Sequence, residues 1–158
     1  MEVFYTPLEH GSPVNVPALI VVHAMGEYIL DPDPIHAPDF LEKLGLSAHV
    51  LVAPNGDIYS CRDTDEGAWH ARGYNKNSLG IEFLVEGEHD YGSFLKAIKN
   101  PWVKHEQLES GVTVVRTWLA DYDIEKVVRH SDISPGRKVD PGEGFPWPEF
   151  NDLIKVKT

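Results

Sequence analysis

Ala48-His49-Val50-Leu51-Val52-Ala53, then Pro54-Asn55-Gly56-Asp57, then Ile58-Tyr59-Ser60-Cys61-Arg62: two β-rich runs flank an Asn-Gly pair, and this arrangement reads as a β-hairpin. Upstream of it, Ala18 to His23 is a short β-branched run after Pro17 and reads as a buried strand. A Pro- and Asp-rich connection follows at Asp31 to Pro34, and Ala37 to Leu44 reads as a short helix ended by Gly45. Downstream, Leu79 to Val85 is a further strand. From His105 to Tyr122 the residues Leu108, Val112, Val115, Leu119 and Tyr122 recur every three or four positions, the stripe of a helix lying on a sheet. Lys126 to His130 reads as a strand entering a long irregular loop, Ser131 to Pro148, and Trp147 to Ile154 as a closing helix. Interleaved strands and helices with a hairpin among them predict an α/β fold, one mixed central sheet flanked by helices.

Length and composition bound the rest. A chain of 158 residues fits one domain, 1–158, and 42% hydrophobic residues suffice for a core without disulfide staples. A single cysteine, Cys61, excludes an internal disulfide. Fourteen Lys and Arg against 25 Asp and Glu give a net charge of −11, and no basic run is present, so nucleic acid and anionic membranes are not expected partners. The longest apolar run, Ala18 to His23, is far short of a membrane span. The start, Met1-Glu2-Val3-Phe4-Tyr5, lacks a basic and then apolar leader, so synthesis in the cytoplasm without an export tag is expected. A monomer is expected.

Two constellations promise chemistry and fail. His105-Glu106-Gln107-Leu108-Glu109 opens like a zinc-protease helix, but Glu109 stands where a second histidine is required. His130-Ser131-Asp132 holds the residue types of a triad, yet immediate chain neighbours cannot align as one relay. The loop that starts there is more informative: His130-Ser131-Asp132-Ile133-Ser134-Pro135-Gly136-Arg137-Lys138-Val139-Asp140-Pro141-Gly142. Rigid loops at strand ends are where scaffolds present functional groups. His130 and Asp140 supply imidazole and carboxylate, and His23, also at the end of an apolar strand, is a candidate third ligand. Two histidines and a carboxylate leave one tetrahedral position open, as in a catalytic rather than structural zinc site. Spacing alone leaves each histidine equally readable as a hydrogen-bonded residue at a strand end.

The same loop strongly resembles the His-Ser-Asp-Ile-x-Pro-Gly-Arg-Lys-x-Asp-Pro-Gly signature of the type-2 N-acetylmuramoyl-L-alanine amidases, a family that includes muropeptide-recycling amidases, phage endolysins and peptidoglycan recognition proteins. Ala18 to His23 resembles the family's first-ligand strand, and Ser47 to Gly56 its Ser-Ala-His hairpin. Ala68-Trp69-His70-Ala71 and Asn75 to Glu82 resemble its Trp-His-Ala and Asn-x-Ser-x-Gly-Ile-Glu segments. The resemblance implies Zn²⁺ at one end of the sheet, held by His23, His130 and Asp140. It also implies Glu82 as the group that orients or deprotonates water, Lys138 as the cation beside the carbonyl oxygen, and peptidoglycan or a muropeptide as substrate. The bond cut would join N-acetylmuramic acid to L-alanine.

Each residue also has a plainer reading. Lys138 reads as a solvated loop lysine without the signature, and Asn77 as a turn former as easily as a substrate contact. Trp69 and His70 suit stacking and hydrogen bonding to substrate, although Trp is also a common packing residue. His49 either packs in the core, the reading slightly ahead, or lines the cleft as a substrate contact. Where some family members carry a catalytic tyrosine before the hairpin histidine, this chain has Ala48, which leaves proton transfer to Glu82. The segment Gly87 to Pro101 matches no motif. A non-catalytic peptidoglycan-binding protein would have lost a ligand, and none is lost. A bare catalytic domain suits both a phage-type endolysin and a cytosolic amidase recycling anhydro-muropeptides, and the endolysin is slightly favoured because little outside the shared motifs resembles the recycling enzymes.

Overall fold

The computed structural model describes residues 1–155, so the last three positions of the expected 1–158 domain lie outside the described residues. Two 12-residue strands, β2 (Leu19–Leu30) and β6 (Ser78–His89), run parallel down the middle of one mixed sheet. Around them stand β1 (Val3–Tyr5), β3 (Pro34–His36), β4 (Val50–Val52), β5 (Ile58–Ser60) and β7 (Lys126–Arg129), in the order β1-β5-β4-β6-β2-β3. β7 pairs in parallel with the first part of β2, and β3 pairs antiparallel with its last part, so these two short strands share one edge. The hairpin read around Asn55-Gly56 is the antiparallel pair β4 and β5, with Gly56 at φ 90°.

Among the described residues five helices accompany the sheet: α1 (Ala37–Leu44), α2 (Tyr91–Ala97), α3 (His105–Asp121), α4 (His130–Ile133) and α5 (Trp147–Lys155). The strands alternate two buried faces. Ile20, Val22, Val50, Val52, Leu79, Ile81 and Phe83 meet Leu108, Val112, Val115 and Trp118 of α3 and Phe150 and Ile154 of α5. Leu51 and Leu84 point the other way, toward Ala37 and Leu41 of α1. Burial of these side chains supplies most of the driving force, at about 1.5–3 kcal/mol for each large one. Gln107, fully buried on α3, donates from Nε2 to the carbonyls of Val52 and Leu84 and accepts the Lys104 N–H, tying the helix to the sheet.

The sheet is larger than the apolar runs predict. β2 continues seven residues past His23, and β6 four past Val85 into Glu86–His89. The unassigned segment after Gly87 contains α2, capped by the Asp90 carboxylate on the Ser93 N–H at 2.8 Å. The supposed irregular loop after β7 begins with one helical turn, α4. No helix among the described residues is long and apolar enough to cross a membrane.

Candidate active site

Register builds the site. β2 and β6 run parallel with His23 directly beside Glu82, and β2 and β7 run parallel with Val22 beside Arg129. The residue after Arg129 is His130, the first of α4, so Glu82 and His23 sit side by side on neighbouring parallel strands and His130 follows at the end of the third. The turn of α4 is held by the Asp132 carboxylate, which accepts from the Arg129 backbone N–H at 3.0 Å and from its guanidinium at 3.0 and 3.1 Å. Asp140 returns along the loop. Its carbonyl accepts the Ser131 N–H, and its Oδ2 accepts the Ala24 N–H at 3.2 Å.

Three ligand atoms converge. His23 Nδ1 is 3.0 Å from His130 Nδ1 and 3.5 Å from Asp140 Oδ2, and His130 Nδ1 is 3.1 Å from Asp140 Oδ1. A tetrahedral zinc with ligands at 2.0–2.1 Å holds neighbouring ligand atoms about 3.3 Å apart. The buried trio therefore fits such an ion, and it is the cluster among the described residues able to hold a metal.

Electrostatics at the site follow from burial and neighbours. Burial lowers the His23 imidazole below its ordinary 6.5, against the raising effect of the nearby Asp140 carboxylate, so a neutral ligand is favoured. Burial would raise Asp140, but the hydrogen bond from His130, with the His23 ring 3.5 Å away adding to it, outweighs burial and holds the carboxyl well below the carboxylate range. Glu82 goes the other way. Burial and then the Asp140 charge push its carboxyl well above 4.5, with Lys138 partly offsetting them. Its Oε1 is 3.7 Å from His23 Nδ1, and its buried Oε2 has no hydrogen-bond partner.

These groups line a cleft of about 590 Å³. One wall comes from Phe40, Leu41 and Leu44 of α1, the other from Tyr91 and Phe94 of the α2 segment, and Arg72, Arg137 and Lys138 add positive charge. Leu44, Leu46, Trp69, Tyr91 and Val139 are exposed large hydrophobics that all lie on this cleft, an apolar concentration typical of a binding surface.

The expected substrate contacts divide. Trp69 lines the cleft, 43% exposed. His70 lines it too, but both its ring nitrogens are engaged by protein, Nδ1 with His23 and Nε2 with Ser78. His49 as a substrate contact is corrected. It is wholly buried, its Nδ1 accepts the Gly80 N–H at 3.0 Å, and its Nε2 donates to the Glu66 carbonyl at 2.7 Å. Asn77 is corrected likewise: it is exposed away from the cleft lining, and its carbonyl accepts from Ala18 and Leu19 in a turn. The α2 wall went unread, although Asp90 followed by Ser93 and an apolar pair is a helix-start signal.

A family model for N-acetylmuramoyl-L-alanine amidases matches residues 13–143. The chain belongs to this family. The 1,6-anhydro-N-acetylmuramyl-L-alanine amidase AmpD of Salmonella typhimurium is 32% identical over 90% of this chain and 83% of its own length. The endolysin of Enterobacteria phage T3 is also 32% identical, over 70% of this chain and 69% of its own. The solved N-acetylmuramoyl-L-alanine amidase LysC from Clostridium intestinale superposes with a TM-score of 0.74 at 22% identity, covering 99% of each chain, and so shares the fold. The amidase chemistry is thereby given, and the relative matched over most of the chain is an anhydro-muropeptide amidase. That moves the balance away from the endolysin and toward the recycling alternative.

Proposed function

We propose that this amidase acts on soluble anhydro-muropeptides, cutting the amide between the lactyl group of N-acetylmuramic acid and L-alanine, with Zn²⁺ held by His23, His130 and Asp140. The convergence of three buried ligand atoms at tetrahedral spacing carries the metal reading. The match to AmpD over most of both chains supports the substrate. A Zn²⁺ in this position supplies Lewis acidity, polarising a carbonyl and acidifying water.

The chain's own groups do the remaining work. Glu82 offers a buried Oε2 without a hydrogen-bond partner among the described residues and a carboxyl already displaced upward, the properties of a general base working near neutral pH. It takes a proton from the attacking water as oxygen bonds to the carbonyl carbon, and returns it to the alanine nitrogen as the C–N bond breaks. The products are a muramic carboxylic acid and a free peptide amine. Lys138 lines the cleft, and its ammonium would stabilise the negative charge that the carbonyl oxygen gains. Trp69 presents an exposed ring to the sugar or the peptide.

The test offers zinc-loaded protein two substrates, soluble anhydro-muropeptides and intact sacculi, and identifies products by mass spectrometry. Chelated protein and Asp140→Ala serve as controls. Stem peptides beginning with L-alanine are expected from the soluble substrate and from neither control. Release from sacculi at a comparable rate would restore the endolysin reading, and release by the chelated protein would remove zinc from it.

A further inference from the structure

Each hydrogen in a short chain of bonds behind the metal cluster can be assigned by elimination. Ser78 donates its only hydroxyl proton to the Tyr74 carbonyl at 2.6 Å. The contact between Ser78 Oγ and His70 Nε2, 2.9 Å, must therefore be made by a proton on Nε2. A neutral His70 protonated there has a bare Nδ1, and that atom lies 2.9 Å from His23 Nε2, which must be the donor. His23 in turn is left with a bare Nδ1 facing His130 and Asp140. Asp140 Oδ2 competes by drawing a proton onto His23 Nδ1, but at 3.5 Å it is beyond good hydrogen-bond range, and the His70 contact is not.

The surroundings hold the His70 ring in this pose. Its backbone N–H and that of Ala71 both donate to Asn75 Oδ1, at 3.0 and 2.8 Å, closing the turn that carries it. The ring lies against Gly80 so closely that a Cβ there would fall 2.6 Å from His70 Nδ1. His23 and His70 meet edge to face, with centroids 5.1 Å apart. The other imidazole ligand has no such support among the described residues, where His130 Nε2 is buried without a hydrogen-bond partner.

The geometry points to His70 as a positioning residue rather than a substrate contact: anchored by Ser78, it accepts the His23 Nε2–H and fixes the tautomer that turns His23 Nδ1 toward the metal. This rests on the zinc reading above. A partner of this kind both orients a ligand imidazole and selects its tautomer, and its loss typically weakens metal affinity or activity 10–100-fold.

Two readouts test it. In metal-free protein at pH 8, two-bond ¹⁵N–¹H correlation of the imidazoles should show His23 as the Nε2–H tautomer in the wild type and as a mixture in His70→Leu. Zinc competition against a chelator should show affinity reduced about 10–100-fold in His70→Leu and in Ser78→Ala, with His70→Gln, which can both accept and donate, recovering much of it. Thermal unfolding of each variant separates misfolding from mispositioning, and Ser78→Ala, remote from the metal, covers the case in which His70→Leu does not fold. An unchanged His23 tautomer and zinc affinity within about twofold in folded His70→Leu and Ser78→Ala would overturn the proposal while leaving the zinc reading intact. Failure of the wild type itself to bind zinc would overturn that reading, and the role of His70 with it.

Discussion

Replacing Glu82 by glutamine keeps the side chain's volume and removes its charge, which separates what the group does for the fold from what it does for the reaction. For the metal-free fold it is a liability. It is 8% exposed, Oε2 is unpartnered, and a second carboxylate is close. Glu82 Oε1 and Asp140 Oδ2 lie 3.7 and 3.5 Å from the same nitrogen, so the two oxygens are at most about 7 Å apart. Two full charges at that separation repel by about 2 kcal/mol at an effective dielectric of 20. The sign in pH follows from the raised carboxyl. At pH 4 the group is mostly neutral whether the chain is folded or not. As pH rises the unfolded chain ionises near 4.5 while the folded one resists, and stability is lost across that window. Glutamine does not titrate, so Glu82→Gln should match the wild type at pH 4 and exceed it by about 2 kcal/mol near pH 8, a Tm about 4–8 °C higher. Activity should move oppositely, with kcat down about 10²–10⁴-fold and KM little changed, as expected when a general base is removed. Urea denaturation of chelated protein from pH 4 to 8, with amidase kinetics on a soluble muropeptide, measures both. A stability difference that does not grow with pH, or a variant retaining more than about a tenth of wild-type kcat, would refute the reasoning.

Lys138→Ala should lower kcat about 10²–10³-fold with little change in KM, read in the same kinetic assay, because an ammonium at the developing oxyanion acts mainly in the transition state. His49 is held at about 4 by burial, so in the wild type this one imidazole removes about 3 kcal/mol of stability as pH falls from 6.5 to 4. Urea midpoints over that range should fall more steeply for the wild type than for His49→Gln. Gly80→Ala places a Cβ 2.6 Å from His70 Nδ1 and 2.7 Å from its Cγ, and should cost about 1–3 kcal/mol in urea denaturation while displacing the His70 ring.

The hairpin at Asn55-Gly56 and the long amphipathic helix were legible because their signals are local: a turn pair, and a 3.6-residue stripe. β2 was only half legible, since Ala24-Met25-Gly26-Glu27 breaks the apolar run while the backbone goes on pairing with β6 as far as Ile29 and His89. β1 and β3, three residues each at sheet edges, carry no periodicity to read. In the site, His23 and His130 stood out as histidines ending apolar strands, but pattern alone could not say that the two strands are neighbours. The resemblance supplied that link. His49 and His70 show the same limit from the other side. The partners that consume their nitrogens include Gly80, 31 residues from His49, and His23, 47 residues from His70, and no sequence pattern distinguishes a satisfied histidine from one facing substrate.

Because the site is a matter of register, fold and chemistry fail together. A one-residue slip of β6 against β2 would turn Glu82 toward α3 and bring Ile81 or Phe83 into the cleft, putting a carboxylate in the main core and opening a hole where a ring had packed. The arrangement of Glu82, His23 and His130 is thus fixed by the same side-chain alternation that buries Leu79, Ile81 and Phe83, and it has little freedom to adapt to one substrate or another. The cleft walls have that freedom. Phe40 and Leu44 on α1, and Tyr91 and Phe94 on α2, stand on short helices outside the strand ladder and supply none of the ligand atoms. Discrimination between a soluble anhydro-muropeptide and a cross-linked sacculus is expected to depend on those walls. Exchanging residues 87–101 for the corresponding segment of a relative should therefore shift KM between the two substrates and leave zinc affinity within about twofold. A zinc affinity that changed with the wall would show that α2 supports the metal ligands after all.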